Sequence, residues 1–183
     1  LFGSINLRSA IYNTYFEIKH FLLGIILLLL INNVLYSQSL SLDSVYTIWG
    51  EAQHNAFPLM IYFNDYCYVS LREGNFHAGD EDAGKIRVIR SQNLHDWESV
   101  ILFEIEDYDL REGHLSILPD GRLHLSCTGW NLEDTYLLDT YFITTIDGIN
   151  WSEPILFPYQ NHWFYGLTWH DNSGYALADY WGD

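Results

Sequence analysis

Basic residues are scarce in this chain of 183 residues. It contains 8 lysines and arginines against 24 aspartates and glutamates, which gives a formal net charge of −16 at pH 7. Such an excess of negative charge repels nucleic-acid phosphates and anionic lipid headgroups, so neither is expected as a partner. Acidity alone also favours solubility, and it therefore indicates no particular function.

Cysteine is nearly absent as well. Cys67 and Cys127 are the only two, and both lie inside predicted strands, so we expect buried thiols rather than a disulfide, although an exported protein could form one. Two cysteines cannot build a structural zinc site by themselves. No ligand cluster in the sequence favours calcium. We therefore predict neither a metal nor a cofactor.

Methionine occurs once, at Met60, and the first residue is Leu1. The last five residues, "DYWGD", carry no closing signal. From these two features we expect the sequence to be part of a longer protein.

The chain has one long apolar run, at residues 21–31, which follows Lys19 and His20. Eleven residues are too few for a membrane span of about 20 and fit the hydrophobic part of a signal peptide. We predict that residues 1–38 form an N-terminal extension with a hydrophobic helix or signal peptide at about 19–38, and that the protein is secreted or periplasmic. A membrane anchor is the alternative, because the run lengthens if residues 34–36 are counted.

Beyond residue 45, short apolar runs alternate with turn signals and no segment keeps a helical period, which predicts an all-β fold. Aromatic residues make up 17% of the chain. They suit the core of a β-sheet, and they also suit a surface on which sugar rings stack. Both interpretations stay open at this point.

The apolar runs repeat along the chain. Trp97 and Trp151 are 54 positions apart, and Asp65 and Asp120 are 55 apart. Each repeat contains four predicted strands, and a period of about 50 with four strands is typical of a β-propeller blade. We predict that residues 45–183 form a partial β-propeller of about two and a half four-stranded antiparallel blades. A β-sandwich is the alternative.

The turns between the third and fourth strands carry a family resemblance. "SQNLHDW" (residues 91–97) and "TIDGINW" (residues 145–151) resemble the Asp-box of sialidases and related propellers. In such a turn Asp147 would accept hydrogen bonds from backbone amides, Gly148 would take a positive φ, and Trp151 would pack between strands. The first copy has Asn93 in place of the aspartate. Residues 49–183 as a whole resemble bacterial exo-α-sialidase-like propellers.

Antiparallel blades would gather charged and aromatic residues on one face. The loop that enters the first strand of a blade and the loop that leaves its second strand must lie on the same side. "DYDLREGH" (residues 107–114) is such an entering loop in the second repeat. The residues predicted for this face are His54, Asn55, Arg72, Glu73, His77, Asp80, Asp82, Asp109, Arg111, Glu112, His114, Trp130, His162, Trp163, Tyr180 and Trp181.

The chemistry of these residues suits a sugar site, in which carboxylates serve as acids and bases, arginines bind an anionic group and tryptophans cover ring faces. The resemblance to sialidases implies an acidic Asp in the loop after the second strand, where Asp80 and Asp82 lie. The candidate catalytic residues are Asp80, Asp82 and Glu73. The candidate substrate-binding residues are Arg72, Arg111, His54, Asn55, His77, Glu112, His114, Trp130 and Trp163.

Each candidate also has a structural alternative. The pairs Arg72–Glu73 and Arg111–Glu112 could be salt bridges at strand ends, the histidines and tryptophans could be packed, and Asp80 and Asp82 could be solvated. Lys85, Arg87 and Arg90 lie on the third strand, away from the axis, and are predicted to be structural. Where sialidases carry their first arginine, this chain has Ala56.

Three functions remain compatible with the sequence. The first is an exported sialidase-like glycoside hydrolase acting on a glycan or glycoconjugate. The second is another five-bladed glycosidase or a phosphorylase-like propeller. The third is a propeller that binds glycans without catalysis. The resemblance implies a Tyr–Glu nucleophile from later blades, so we expect this chain alone to be inactive.

Overall fold

The computed structural model describes residues 19–23, 42–77, 83–134 and 137–182. The contacts divide the chain into two units, Leu1–Val45 and Tyr46–Asp183. In the first unit residues 19–23 are helical; the rest of the predicted hydrophobic helix lies outside the described residues. Within the described ranges no helix is both long and apolar enough to span a membrane.

The second unit consists of three antiparallel sheets. The first sheet has the order β1-β2-β3-β4, the second β5-β6-β7-β8, and the third contains β9 and β10. This confirms the predicted all-β fold and its four-stranded antiparallel sheets. The strands are β1 (His54–Phe63), β2 (Tyr66–Gly74), β3 (Lys85–Ser91), β4 (Glu98–Phe103), β5 (Tyr108–Ile117), β6 (Leu123–Asn131), β7 (Leu138–Thr145), β8 (Ile155–Leu156), β9 (His162–His170) and β10 (Ser173–Tyr180).

The first strands of the three sheets lie next to one another, with β1 against β5 and β5 against β9. The main core forms where the first two sheets meet, and its fully buried members include Tyr68, Ile86, Val88 and Leu110. Burying each such side chain stabilises the fold by about 1.5–3 kcal/mol. Packing between the first two sheets therefore fixes the positions of β1 and β5 relative to each other.

The prediction of a loop at residues 107–114 was wrong. β5 begins at Tyr108, so Asp109, Arg111 and Glu112 lie in the strand, and His114 is its seventh residue rather than its first. The charged segment pairs with β6 from Tyr108 to Arg111. It can do so because Arg72 and Arg111 both pair with the Asp109 carboxylate, which offsets part of the cost of burying these charges.

All three first strands are interrupted by a β-bulge. The register shifts between Ala56 and Leu59 in β1 and between Arg111 and His114 in β5, and β9 has a corresponding shift opposite Ala176–Ala178. In each bulge one residue has a positive φ. The residues with that conformation are Phe57 (φ 53°), Glu112 (φ 51°) and Gly166 (φ 105°). A bulge bends its strand and redirects side chains, so the innermost strands change direction at equivalent places.

The two Asp-box-like turns have the predicted hydrogen bonds. Asp147 Oδ1 accepts from the amides of Ile149 and Asn150 at 2.9 and 2.8 Å, and Gly148 has a φ of 76°. In the first turn Asn93 Oδ1 accepts from the amides two and three residues further on, at 2.9 and 2.8 Å. The residue equivalent to Gly148 is Leu94, with a φ of 64°.

Both cysteines are free thiols, as predicted; Cys127 is buried and Cys67 is partly buried. Burial raises the pKa of the Cys127 thiol well above its usual range. The basic residues of β3 form ion pairs, Lys85 with Glu104, Arg87 with Glu73 and Arg90 with Glu98.

Candidate functional site

The centre of the site is the Asp109 carboxylate, which is 1% exposed. Arg72 donates to its Oδ1 from Nε at 3.1 Å and from Nη2 at 2.7 Å. Arg111 donates to Oδ2 from Nε at 2.7 Å and from Nη2 at 2.5 Å. Each oxygen thus binds one guanidinium, and two cations share a single anion.

Small residues lie next to the cluster of Arg72, Asp109 and Arg111 and leave space for its side chains. Arg72 pairs across the sheet with Ala56, and Arg111 pairs with Thr128. The amide of Gly84 donates to Asp109 Oδ1 at 3.1 Å, and a Cβ at this glycine would overlap the Arg72 guanidinium and the Asp109 carboxylate. A glycine is required at position 84 because the backbone itself contacts the buried ion pair.

The two arginines differ in their access to solvent. The Arg72 side chain is 0% exposed, and that of Arg111 is 20% exposed. Arg72 also donates from Nη1 to the carbonyl of Phe76 at 2.8 Å. In this arrangement a ligand can reach Arg111, while Arg72 acts by holding Asp109 in place.

Tryptophans surround the Arg111 guanidinium. Its Cζ atom lies 5.8 Å from the ring centroid of Trp130 and 5.8 Å from that of Trp163, both within the range of a cation–π interaction. Trp181, which is 52% exposed, contacts both rings with centroid distances of 5.8 and 6.3 Å. Arg111 Nη1 makes no hydrogen bond among the described residues, so it can bind an anionic group at the edge of an aromatic surface.

Glu112 extends the site toward the third sheet. The bulge at Glu112 brings its Oε2 to Trp163, whose Nε1 donates to it at 2.9 Å. His114 Nε2 lies 3.7 Å from the same oxygen, too far for a hydrogen bond, and this buried nitrogen has no hydrogen-bond partner. Burial lowers the pKa of His114, and the opposing effect of the Glu112 charge is smaller.

Other predicted site residues do not join this cluster. Glu73 follows Arg72 on β2, so its side chain points to the other side of the sheet. There it accepts from Trp49 Nε1 at 2.7 Å and from Arg87 Nε at 3.1 Å. The catalytic role of Glu73 stays a prediction, but its carboxylate is engaged in structural bonds.

His54 and His77 form a separate contact at the end of the first sheet. His77 Nδ1 lies 3.3 Å from His54 Nε2, and Phe57 packs against His77 with a centroid distance of 5.3 Å. Asn55 donates to the carbonyl of Ala52 at 2.8 Å. Asp80 and Asp82 lie outside the described residues.

The predicted set of site residues omitted Asp109 and Tyr165. Asp109 was expected on the shared face but was not assigned a role, since one carboxylate among several acidic residues has no distinguishing signal. Tyr165 begins the bulge in β9, and its Oη donates to Asp179 Oδ2 at 2.8 Å. A signal for the bulges does exist, because each inserted pair ends in proline or glycine. The pairs are Phe57–Pro58, Glu112–Gly113 and Tyr165–Gly166.

Within the ranges that the structure describes, no group of three or more histidine, cysteine, aspartate or glutamate side chains could hold a metal ion.

No protein family and no curated protein matches this chain. Solved structures resemble it at low similarity, and two of them illustrate this. One is a protein described as a candidate glycoside hydrolase from Parabacteroides distasonis ATCC 8503, with a TM-score of 0.41, 15% identity, and coverage of 54% of this chain and 31% of that chain. The other is a glycosyl hydrolase from Bacteroides ovatus, with a TM-score of 0.41, 12% identity, and coverage of 54% and 30%. The chain thus matches less than a third of either structure, and the similarity is too low to assign fold or function.

Proposed function

We propose that this chain is part of an exported, sialidase-like β-propeller that binds acidic glycans and, in the complete protein, hydrolyses them. The observation that carries the proposal is the Arg111 guanidinium, held by Asp109 between the rings of Trp130 and Trp163. A sugar that bears a carboxylate offers an anion for the arginine and apolar ring faces for the indoles.

Several further features support this proposal. The side-by-side arrangement of β1, β5 and β9 is the arrangement that propeller blades have around an axis. The apolar run after Lys19 supports export to the periplasm or the medium, with a membrane anchor as the alternative. Asp80 and Asp82 are the proposed acids, because their place after β2 matches that of the sialidase acid.

A glycan-binding protein without catalysis is the second candidate, and one observation favours it. Arg72 is fully buried, so a single arginine of the cluster is left to contact a ligand. One accessible arginine between indoles is enough to bind a sugar carboxylate. It is fewer than the three arginines with which sialidases hold their substrate.

The test is a glycan array combined with fluorogenic glycosides, applied to the full-length protein and to its Arg111→Ala variant. We expect acidic glycans to bind, and the variant to bind them about 10- to 100-fold more weakly, because a charge-assisted hydrogen bond contributes about 1.5–3 kcal/mol. Arg122→Ala is the matched control. Arg122 pairs with Asp120 at an exposed turn, and its loss should leave binding unchanged.

The outcomes separate the candidates. Turnover of sialosides by the wild-type protein supports hydrolysis, and binding without turnover supports the second candidate. Equal binding by the wild-type protein and Arg111→Ala, with an unchanged melting temperature, would show that this site does not recognise the glycan.

A further inference from the structure

Glu112 occupies the position with a positive φ in the bulge of β5. Its φ of 51° is unfavourable for a residue with a Cβ, and strained backbone of this kind is found preferentially at functional sites. The equivalent residues in the bulges of β1 and β9 are Phe57 and Gly166. Of these three equivalent positions, the one in β5 is therefore the only one that carries a charged side chain.

The bulge allows two adjacent residues of β5 to contact the same indole. In a regular strand, the side chains of adjacent residues point to opposite faces of the sheet. Here Arg111 Cζ lies 5.8 Å from the ring centroid of Trp163, and Glu112 Oε2 accepts from Trp163 Nε1 at 2.9 Å. The bulge thus places a cationic and an anionic group around one tryptophan.

The tryptophans of the site differ in how much of the ring a ligand can cover. Trp163 is 8% exposed, whereas Trp181 is 52% exposed and contacts Trp130 as well as Trp163. A sugar ring would therefore stack on Trp181 rather than on Trp163. The role left to Trp163 is to hold the Glu112 carboxylate in one orientation through its Nε1 hydrogen bond.

Arg111 and Glu112 each keep one polar atom for a ligand. Arg111 donates to Asp109 from Nε and Nη2, and its Nη1 makes no hydrogen bond among the described residues. Glu112 Oε1 likewise has no hydrogen-bond partner in the part of the chain that the structure describes, and the side chain is 20% exposed. A guanidinium nitrogen only donates and an ionised carboxylate oxygen only accepts. The two atoms therefore suit a ligand that carries an anionic group together with hydroxyl groups.

We propose that Glu112 is a specificity-determining residue of the site, whose Oε1 accepts a hydrogen bond from a sugar hydroxyl while Arg111 Nη1 binds the sugar carboxylate. Trp163 is the positioning residue that orients Glu112. This inference rests on the proposed function and narrows its ligand class to acidic sugars with free hydroxyl groups close to the carboxylate. The negative charge of Glu112 repels an anion that brings no hydrogen-bond donor, so the same side chain favours a sugar acid and disfavours a simple carboxylate.

The test compares two probes that both contain a ring and a carboxylate. N-acetylneuraminic acid carries hydroxyl groups, and cyclohexanecarboxylate has none. Their affinities are measured by quenching of tryptophan fluorescence in the full-length protein and in Glu112→Gln, in which glutamine keeps an acceptor for Trp163 but replaces the other oxygen by a donor. We expect the variant to bind the sugar acid about 10- to 100-fold more weakly, the effect of one hydrogen bond to a charged group. It should bind cyclohexanecarboxylate at least as tightly as the wild-type protein does, because the repulsion is removed.

Two further variants separate positioning from packing. Trp163→Phe keeps an aromatic ring but loses the Nε1 donor, so it should weaken binding of the sugar acid with little change for cyclohexanecarboxylate. A loss of packing alone would weaken both. Glu104→Gln, on an exposed carboxylate paired with Lys85, is the control and should leave both affinities unchanged.

The ratio of the two affinities decides the outcome. A Glu112→Gln variant with the wild-type ratio overturns the role of Glu112, and the proposed function then stands if Arg111→Ala still weakens binding of both probes. A Trp163→Phe variant with the wild-type ratio overturns the positioning role. A wild-type protein that binds neither probe nor any acidic glycan of the array overturns the proposed function together with this inference.

Discussion

The first two sheets are built from the same repeat, but they place their arginine on different strands. In the first sheet Arg72 lies on β2 opposite Ala56, and in the second Arg111 lies on β5 opposite Thr128. Both reach the carboxylate of Asp109. The two arginines therefore have different roles. Arg72 on β2 is buried and links the two sheets through Asp109, whereas Arg111 on β5 is partly exposed, at 20%.

The largest effect should come from breaking the link between these sheets. Asp109→Asn would leave Arg72 buried beside a neutral amide, and removal of one partner from a buried pair typically costs about 3–5 kcal/mol. Urea unfolding followed by tryptophan fluorescence measures the change in the free energy of unfolding.

Glu98→Gln is the matched control for this variant. It breaks the Arg90–Glu98 pair of the first sheet, in which the glutamate is 61% exposed, and exposed pairs contribute about 0–1 kcal/mol. Similar losses in the two variants would contradict the view that Asp109 joins the sheets.

A second effect concerns the turn that each sheet carries between its third and fourth strands. Gly148 has a φ of 76°, and a Cβ there would collide with Tyr68 Oη of the first sheet. Gly148→Ala should therefore lower the free energy of unfolding by about 2–4 kcal/mol, through left-handed strain and overpacking.

Leu94 occupies the equivalent position in the first turn with a φ of 64° and is 44% exposed. Leu94→Gly should have the opposite sign and stabilise the protein by up to about 1 kcal/mol, because it relieves the strain. The sharpest comparison is the difference in thermal midpoint between the two variants. Destabilisation by Leu94→Gly would mean that the leucine side chain contributes packing that outweighs its backbone strain.

The repeat explains how much of the fold was predictable. The third strand predicted to carry Lys85, Arg87 and Arg90 is β3, and the turns around Asn93 and Asp147 have the expected hydrogen bonds. These features depend on turn residues and on the alternation of apolar and polar residues, and both can be read directly from the sequence. Two copies of the same pattern strengthen the prediction, because a chance match would not recur in phase.

The site was predictable only in part, because it depends on which charged side chains form ion pairs in the folded structure. Arg72 and Glu73 are adjacent in sequence, but the alternation of side chains along β2 directs Arg72 to Asp109 and Glu73 to Arg87. The sequence offers no way to choose between these partners. The same ambiguity led to the prediction of a loop at residues 107–114, since charged residues favour loops unless their partners are known.

The smallest and most selective effect concerns a difference between the two turns. Each turn pairs an asparagine with an aspartate, but the two residues occupy interchanged positions. In the first turn Asn93 Nδ2 donates to Asp96 Oδ2 at 2.8 Å. In the second turn Asn150 Nδ2 donates to Asp147 Oδ2 at 2.7 Å. The backbone amides of the first turn thus bind a neutral oxygen, and those of the second bind a carboxylate.

Because the backbone amides of the second turn bind a carboxylate, we predict that acid weakens the second turn and not the first. Hydrogen bonds from the Asn150 amide, the Asn150 side chain and the Ile149 amide hold the pKa of Asp147 well below its ordinary value of 3.8. The stabilisation is complete above about pH 3.8 and is lost as the pH falls toward the lower pKa of the folded state. Asp147→Asn should remove this part of the pH dependence of the urea midpoint between about pH 5 and pH 2.5.

Asn93→Asp supplies the matched reversal in the first turn. It would place a second carboxylate beside Asp96, so at neutral pH the two negative charges should repel and lower the urea midpoint. The double variant Asn93→Asp with Asp96→Asn reproduces the arrangement of the second turn, and it should recover the midpoint and gain the acid sensitivity that Asp147 gives to the second turn. If the double variant had the same pH profile as the wild-type protein, the acid sensitivity would not arise from the carboxylate at this position of the turn.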